Sequence, residues 1–326
     1  MRCKILGFFL LLSVLVRAET LVQPFAQIEL QNSVVSMTKI QNTLYVATDF
    51  GEVIAINPDD RSQTLLVKLP LVTTFLDNLY APKIFYVDTL DHQRFLITSE
   101  SDKGGKNLFL YHQQLEQIFS QNDSLHIKKA AFISQDKIFL ALASNEIILY
   151  DLNHKQFSYR IQLSEAPFSD FWLSEDRQYF LVSCESGILY FGNTLEGKVL
   201  VKLEGANKDK VYQSLMSLNA KGERIVISAG QDRKVGVYTL KNDLSYTYYA
   251  LGADFLVYSV GLNPNGTLGA FNSDENSMIS VFDIATKEET AKLIGHQNVL
   301  NAIIFLGDKK IVSAEDGKNI LFWELP

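Results

Sequence analysis

The residues best suited to catalysis or metal binding are scattered along this chain rather than grouped. Five histidines and two cysteines occur in 326 residues. None of them stands at the spacing of a zinc, haem or copper site, and no serine occupies the Gly-x-Ser-x-Gly turn of a hydrolase. We therefore expect no cofactor, no metal and no catalytic residue, and we interpret all but the last histidine as solvated loop residues. The histidines are His92, His112, His126, His154 and His296.

Acidic residues recur at similar places, in short polar turns between apolar segments. A ring of carboxylates could bind a cation. Each aspartate can instead accept hydrogen bonds from the backbone of its own turn, and we favour this structural role. The positions are Asp49, Asp102, Asp232, Asp274 and Asp316.

The segments that would position these residues form a repeat. Short apolar runs such as "NEIILYD", "RKVGVY" and "KNILFWE" end in an aromatic or large aliphatic residue and recur about every 44 residues, the period of a propeller blade. A second apolar segment and a polar turn precede each run, and further strand-like segments flank the pair. The pattern predicts four antiparallel strands per unit. The seven runs end at Ile56, Tyr111, Tyr150, Phe191, Tyr238, Phe282 and Trp323.

Two of the units carry residues that resemble the WD40-like β-propeller family. The fifth unit, "ISAGQDRKVGVYTL", has Ser228, Ala229, Asp232 and Tyr238 at the positions of the family's small residues, turn aspartate and aromatic residue. The seventh unit has Gly-His ending at His296 and Trp-Glu beginning at Trp323, where the family has Gly-His and Trp-Asp. The resemblance implies structural roles within the blades for His296, Asp232, Asp316 and Trp323.

The predicted fold is all-β, a seven-bladed WD40-like propeller formed by residues 19–326. The seventh unit lacks a fourth strand, and a spare strand-like segment covers residues 21–30. We expect residues 21–30 to complete the last blade and close the ring, because an open seam would leave an unpaired edge. The predicted blades are 33–69, 82–120, 127–164, 167–205, 211–251, 255–295, and 298–326 with 21–30.

The residues that open the innermost strands should face the central channel or its rim. They form a mixed polar and aromatic set of the kind that recognises peptides or proteins. As exposed positions, they should tolerate joint replacement by alanine with little change in melting temperature. The set is Lys129, Asp170, Tyr258 and Asn301.

The first residues have the form of a secretory signal peptide. Arg2 and Lys4 precede an apolar run, and small residues at 16–18 predict cleavage between Ala18 and Glu19. Removing residues 1–18 takes away three cations and no acid, so the net charge changes from −7 to −10. Such an acidic chain is a poor partner for nucleic acid or anionic lipid. We expect a periplasmic protein that contacts the membrane only through a partner.

These features favour a non-catalytic scaffold that binds a protein partner in the cell envelope. The exported single propeller also resembles the NapL-type accessory proteins of periplasmic nitrate reductase systems, which implies a role in assembly or electron transfer. The alternative is a glycosidase or lactonase with its site in the central channel, which would need converging carboxylates or a metal. A third class, a lipoprotein scaffold for envelope assembly, is disfavoured because Cys3 precedes the apolar run.

Overall fold

The computed structural model describes residues 20–326, and the predicted cleavage site between Ala18 and Glu19 lies outside them. Within this range the chain is almost entirely β-structure. The first strands are β1 (Leu21–Val22), β2 (Ala26–Glu29), β3 (Val34–Ile40), β4 (Thr43–Thr48), β5 (Glu52–Ile56), β6 (Gln63–Lys68), β7 (Val72–Thr73), β8 (Leu79–Tyr80), β9 (Ile84–Asp88), β10 (Phe95–Glu100), β11 (Lys106–His112), β12 (Gln114–Phe119), β13 (Ile127–Phe132), β14 (Lys137–Leu142), β15 (Glu146–Asp151) and β16 (Gln156–Gln162).

The second half continues the same four-strand pattern. Its strands are β17 (Phe168–Leu173), β18 (Tyr179–Cys184), β19 (Leu189–Asn193), β20 (Val199–Leu203), β21 (Val211–Leu218), β22 (Arg224–Gly230), β23 (Lys234–Leu240), β24 (Tyr246–Gly252), β25 (Val260–Leu262), β26 (Leu268–Asn272), β27 (Ile279–Asp283), β28 (Glu289–Leu293), β29 (Leu300–Phe305), β30 (Lys310–Glu315) and β31 (Asn319–Glu324). Two single turns of 3-10 helix, Asp102–Gly104 and Gln121–Asp123, connect strands. Neither could cross a membrane, and residues 20–326 contain no other helix.

The strands form seven antiparallel blades arranged in a closed ring. Blades 1 to 6 are β3–β6, β9–β12, β13–β16, β17–β20, β21–β24 and β25–β28, and blade 7 is β29–β31 with β2. The first strand of every blade contacts the first strand of both neighbouring blades, including β29 with β3. These seven strands therefore surround a central channel. The structure confirms the predicted seven-bladed propeller.

The N-terminal segment closes the ring, as predicted, but it is divided between two blades. Strand β2 pairs antiparallel with β31, with Ala26 opposite Phe322 and Glu29 opposite Asn319. Strand β1 instead pairs parallel with β28 and adds a fifth strand to blade 6. The expectation that residues 21–30 all belong to blade 7 was therefore wrong for Leu21–Val22. The intervening Pro24 has no N–H to donate to a ladder, which favours a change of sheet at this point.

The core consists of apolar layers between neighbouring blades. Ile28 and Leu30 pack with Leu44, Val312 and Phe322, so one layer joins the N-terminal strand, blade 7 and blade 1. The aromatic residues at the ends of the repeated runs fill the other layers. Tyr238 and Trp323 are completely buried. Burial of a large apolar side chain stabilises a fold by about 1.5–3 kcal/mol, which explains why large residues recur once per blade.

A hairpin absent from the predicted repeat lies between blades 1 and 2. Strands β7 and β8 form it, and its tip contains the exposed residues Phe75 and Leu76. Asp102 holds its base, since one carboxylate oxygen accepts hydrogen bonds from Thr73 N at 2.7 Å and Thr73 Oγ1 at 2.8 Å. The insertion explains why the first interval of the repeat is longer than the others.

Candidate functional site

The four residues predicted at the channel rim line one cavity. It has a volume of about 500 Å³, and all seven blades contribute to its wall. Each of the four side chains is half-buried rather than fully exposed. One lining residue from each blade in turn is Ser36, Tyr86, Lys129, Asp170, Gln213, Tyr258 and Asn301.

Lys129 and Asp170 form an ion pair that joins blades 3 and 4. Lys129 Nζ donates to Asp170 Oδ1 at 2.7 Å and to Phe171 O at 2.8 Å, and it lies 4.2 Å from the centre of the Tyr86 ring. Burial lowers the pKa of Lys129, but the charge of Asp170 together with its hydrogen bond and the nearby Tyr86 and Asp88 outweighs burial, so the pKa is raised overall. The two charges are thus satisfied within the protein. The expectation that these side chains are exposed was wrong; because they are half-buried and paired, we expect their replacement to lower stability.

Asn301 connects the two blades on either side of the ring closure. Its amide nitrogen donates to Val34 O of blade 1 at 2.8 Å and to Glu315 O of its own blade at 3.1 Å. Its buried Oδ1 has no hydrogen-bond partner among residues 20–326, and the same holds for Ser169 Oγ in the same wall. Because both atoms are buried, their unsatisfied hydrogen-bonding capacity costs the fold free energy.

Tyr258 forms an aromatic pair in the wall together with Tyr212. Their ring centroids are 4.9 Å apart, across the boundary between blades 5 and 6. Gln213 reinforces this boundary, because its side-chain oxygen accepts hydrogen bonds from Ser259 Oγ and Val260 N, both at 3.0 Å. The tyrosine pair offers a rigid apolar surface with hydroxyl groups at its edge, a combination that is common where proteins bind partners.

A second ion pair spans three blades, and no sequence pattern predicted it. Arg177, in the turn after β17, donates to Asp88 of blade 2 at 2.9 and 3.3 Å, and Phe132 N of blade 3 donates to the same carboxylate at 2.8 Å. Asp88 is buried. Since a buried carboxylate is costly unless it is paired, this contact fixes blades 2, 3 and 4 relative to one another. The partners are far apart in the chain, so no local pattern predicts it.

His296 lies inside blade 7, away from the channel, in a hydrogen-bonded network. Its ring nitrogens lie 3.0 Å from Glu315 Oε2 and 2.7 Å from Ser313 Oγ, and Trp323 Nε1 donates to the same serine oxygen at 2.7 Å. An arrangement in which the Ser313 hydroxyl donates to Nε2 and Nδ1–H donates to Glu315 uses every donor. The network joins the loop before β29 to β30 and β31.

The acid in this network is Glu315 and not the predicted Asp316. Burial raises the pKa of Glu315, but hydrogen bonds from His296, Gln297 N and Asn319 outweigh burial and lower the pKa to about 2. Asp316 is exposed and lines the channel cavity. Its predicted structural role was wrong, because the turn places the preceding side chain inward and Asp316 outward.

Blade 5 contains a similar network in which Asn207 takes the place of the histidine. Ser228 Oγ donates to Asn207 Oδ1 at 2.6 Å, and Asn207 Nδ2 donates to Asp232 Oδ1 at 3.1 Å. Asp232 also accepts a hydrogen bond from Lys208 N at 2.9 Å, so its carboxylate holds the loop between blades 4 and 5. Asn207 was missed because an asparagine in a loop is unremarkable in sequence.

His92 also differs from its interpretation as a solvated loop residue. It is half-buried, and its ring hydrogen-bonds to Tyr45 Oη of blade 1 and to Gln41 Oε1.

Among residues 20–326, no three His, Cys, Asp or Glu side chains lie close enough together to hold a metal ion.

Comparison with known proteins establishes the fold. Neither protein-family models nor curated proteins give a match. Among solved structures, the β-propeller domain of Cps50 (Swd1) from Myceliophteria thermophila is similar, with a TM-score of 0.72 and 11% identity, covering 93% of this chain and 99% of that one. A chain of the mitotic checkpoint complex also has a TM-score of 0.72, with 10% identity and coverage of 100% and 99%. The protein therefore has the fold of a WD40-like β-propeller.

Proposed function

We propose that the protein is a non-catalytic scaffold that binds a protein partner at the mouth of the central channel. The observation that carries the proposal is the composition of the channel wall. All seven blades contribute to it, two of its charges, Lys129 and Asp170, neutralise each other, and the Tyr212–Tyr258 pair offers an apolar surface. Such a wall suits recognition of a polypeptide. One of the similar propellers is a chain of the mitotic checkpoint complex.

The scaffold acts in the cell envelope as an exported protein. The signal-like segment before Glu19 and the acidic composition support this location. Within the periplasm, we assign it to assembly or electron transfer of a reductase system of the nitrate reductase kind. The support for this finer role is the resemblance to NapL-type accessory proteins. The role requires no cofactor in the chain itself.

The alternative, an enzyme with its site in the channel, would need a different set of residues in the channel wall. A propeller glycosidase needs two carboxylates on either side of the scissile bond, one of them able to donate a proton. Among residues 20–326, the acids that line the cavity are Asp170 and Asp316. Asp170 Oδ1 lies 2.7 Å from Lys129 Nζ, so this carboxylate is already engaged within the protein.

Affinity capture from an envelope extract, with mass spectrometry of the retained proteins, tests the proposal. We expect a specific partner to be retained by the native protein and lost with Tyr258→Ala. Tyr248→Ala is the matched control, because Tyr248 also packs against a second tyrosine, with ring centroids 5.8 Å apart, but lies on an outer strand. Equal retention by both variants would contradict binding at the channel mouth.

A further inference from the structure

A second cavity lies beside the channel, between blades 2 and 3, and its wall is basic. Its volume is about 520 Å³. Lys128 lines both this cavity and the channel, so the two adjoin. We call this cavity the lysine pocket. The charged or titratable residues in its wall are Lys103, Lys106, Lys128 and His126.

The lysines of this pocket have no ion-pair partners in the described part of the chain. No carboxylate lies within 4.0 Å of the ammonium group of Lys103, Lys106 or Lys128, or of the neighbouring Lys83. Lys106 Nζ instead lies 3.3 Å from the centre of the Phe85 ring. A concentration of unpaired cations is unusual in a chain whose net charge is −7.

The acids near the pocket are engaged elsewhere. Glu100 accepts a hydrogen bond from Lys83 N at 3.0 Å, and Asp102 holds Thr73 at the base of the inserted hairpin. Burial lowers the pKa of Lys106 to about 8; the charge of Glu100 opposes this shift, while Lys128 and Lys83 add to it. A bound anion would relieve the repulsion among the lysines and favour the protonated form of Lys106.

The exposed apolar tip of the inserted hairpin borders this pocket. The side chains of Leu71, Phe75, Leu76 and Leu79 are 54%, 76%, 83% and 66% exposed. The segment Asp102–Gly104 connects the two features, since Asp102 binds the hairpin while Gly104 lies against the Phe75 ring and also lines the pocket. Contiguous exposed apolar groups mark interaction surfaces.

We infer that an acidic segment of a protein partner docks here, its carboxylates entering the lysine pocket and an apolar side chain packing against Phe75 and Leu76. Charge complementarity selects this occupant, and Lys106, the partly buried cation, lies in a cavity that a flat membrane surface does not enter. Asp77 at the hairpin tip also disfavours insertion into anionic lipid. The inference rests on the proposed function and extends the binding surface from the channel mouth to blades 2 and 3.

A labelled peptide tests the inference directly. The probe is a fluorescein-labelled octapeptide, Glu-Glu-Leu-Glu-Glu-Phe-Glu-Glu, and its binding is followed by fluorescence anisotropy at pH 6.5 and low salt. We expect saturable binding, weakened about tenfold or more by Lys106→Gln or Lys128→Gln and retained by Lys106→Arg. Raising the pH through 8 should weaken binding as Lys106 loses its proton, and a protein without saturable binding would overturn the inference.

Matched controls separate a specific pocket from general charge attraction. Lys202 and Lys287 also lie over tyrosine rings, at 5.4 and 4.5 Å, but on other blades. Lys202→Gln and Lys287→Gln should bind the probe like the native protein, and equal losses in all four Gln variants would refute the pocket. Leu76→Ser should weaken the binding of this probe but not the binding of a peptide of eight glutamates. An equal loss of binding for both peptides would refute the apolar contact.

Two further experiments test for other occupants of the lysine pocket. If millimolar inorganic phosphate abolishes peptide binding, the pocket is a site for small anions, and the docking of a polypeptide is overturned. Co-sedimentation with phosphatidylserine vesicles that depends on Leu76 would indicate a membrane surface and also overturn it. If Lys106→Gln retains the partner captured from envelope extract while Tyr258→Ala loses it, the lysine pocket is refuted and the proposed function stands.

Discussion

Removal of the apolar contacts of the ring-closing strand should destabilise the whole propeller. Ile28 is 5% exposed and packs between blade 7 and blade 1. An Ile→Ala substitution in such a layer costs about 2–5 kcal/mol, from lost apolar burial and the cavity left behind. That is a large part of the roughly 5–15 kcal/mol by which folded domains are stable. Glu29→Ala is the matched control in the same strand, since its side chain is exposed and should cost less than about 0.5 kcal/mol.

Urea unfolding followed by tryptophan fluorescence measures this difference. Trp323 lies on β31, the strand that pairs with β2, and Trp172 lies on β17 of blade 4, so the signal reports on the closure and on the rest of the ring together. Deletion of residues 20–30 should be more severe than Ile28→Ala, because it also exposes the edge of β31 and should promote self-association. Equal unfolding midpoints for Ile28→Ala and Glu29→Ala would refute the conclusion that this strand closes the ring.

Two other predictions concern single contacts, and a third concerns processing. The pKa of Glu315 is about 2 in the folded protein, against an ordinary value of 4.5. Its carboxylate therefore contributes about 3 kcal/mol of stability above pH 4.5, and this contribution is lost as the pH falls toward 2. The acid unfolding of Glu315→Gln should lack this pH-dependent loss. A double-mutant cycle of Lys129→Met and Asp170→Asn should give a coupling of about 0.5–3 kcal/mol in thermal unfolding, and a value near zero would contradict the ion pair. N-terminal sequencing of the exported protein should begin at Glu19, and retention of residues 1–18 would contradict the periplasmic assignment.

The blade pattern was predictable because its physical causes are local. One large apolar residue per blade and a polar turn between two alternating strands are visible in any stretch of about 44 residues. Ring closure was predictable because the last repeat lacks a fourth strand and the N-terminal segment before the first repeat supplies a spare one. The transfer of Leu21–Val22 to blade 6 was not predicted, because two residues carry no pattern of their own. The hairpin at Val72–Thr73 and Leu79–Tyr80 was missed for the same reason.

The functional surface was only partly predictable because it is assembled from distant segments. Alignment of the blades placed the rim residues correctly at the channel, since each opens an innermost strand. Whether such a side chain is free or paired depends on the neighbouring blade, as Lys129 and Asp170 illustrate. The lysine pocket combines Lys106 with Lys128 from different blades, in a chain whose overall charge is negative. The net charge of the chain therefore did not predict this local cluster of basic residues.

Hydrogen–deuterium exchange on the complex with the captured partner maps the contact surface without substitutions, and so tests whether the partner binds at the channel mouth. We expect slower exchange in residues 254–259 and 297–301 at the channel mouth, and in 102–106 and 126–129 around the lysine pocket. The outer strands β16 and β24 should exchange as in the free protein. Protection confined to those outer strands, with none at the channel mouth, would refute binding there.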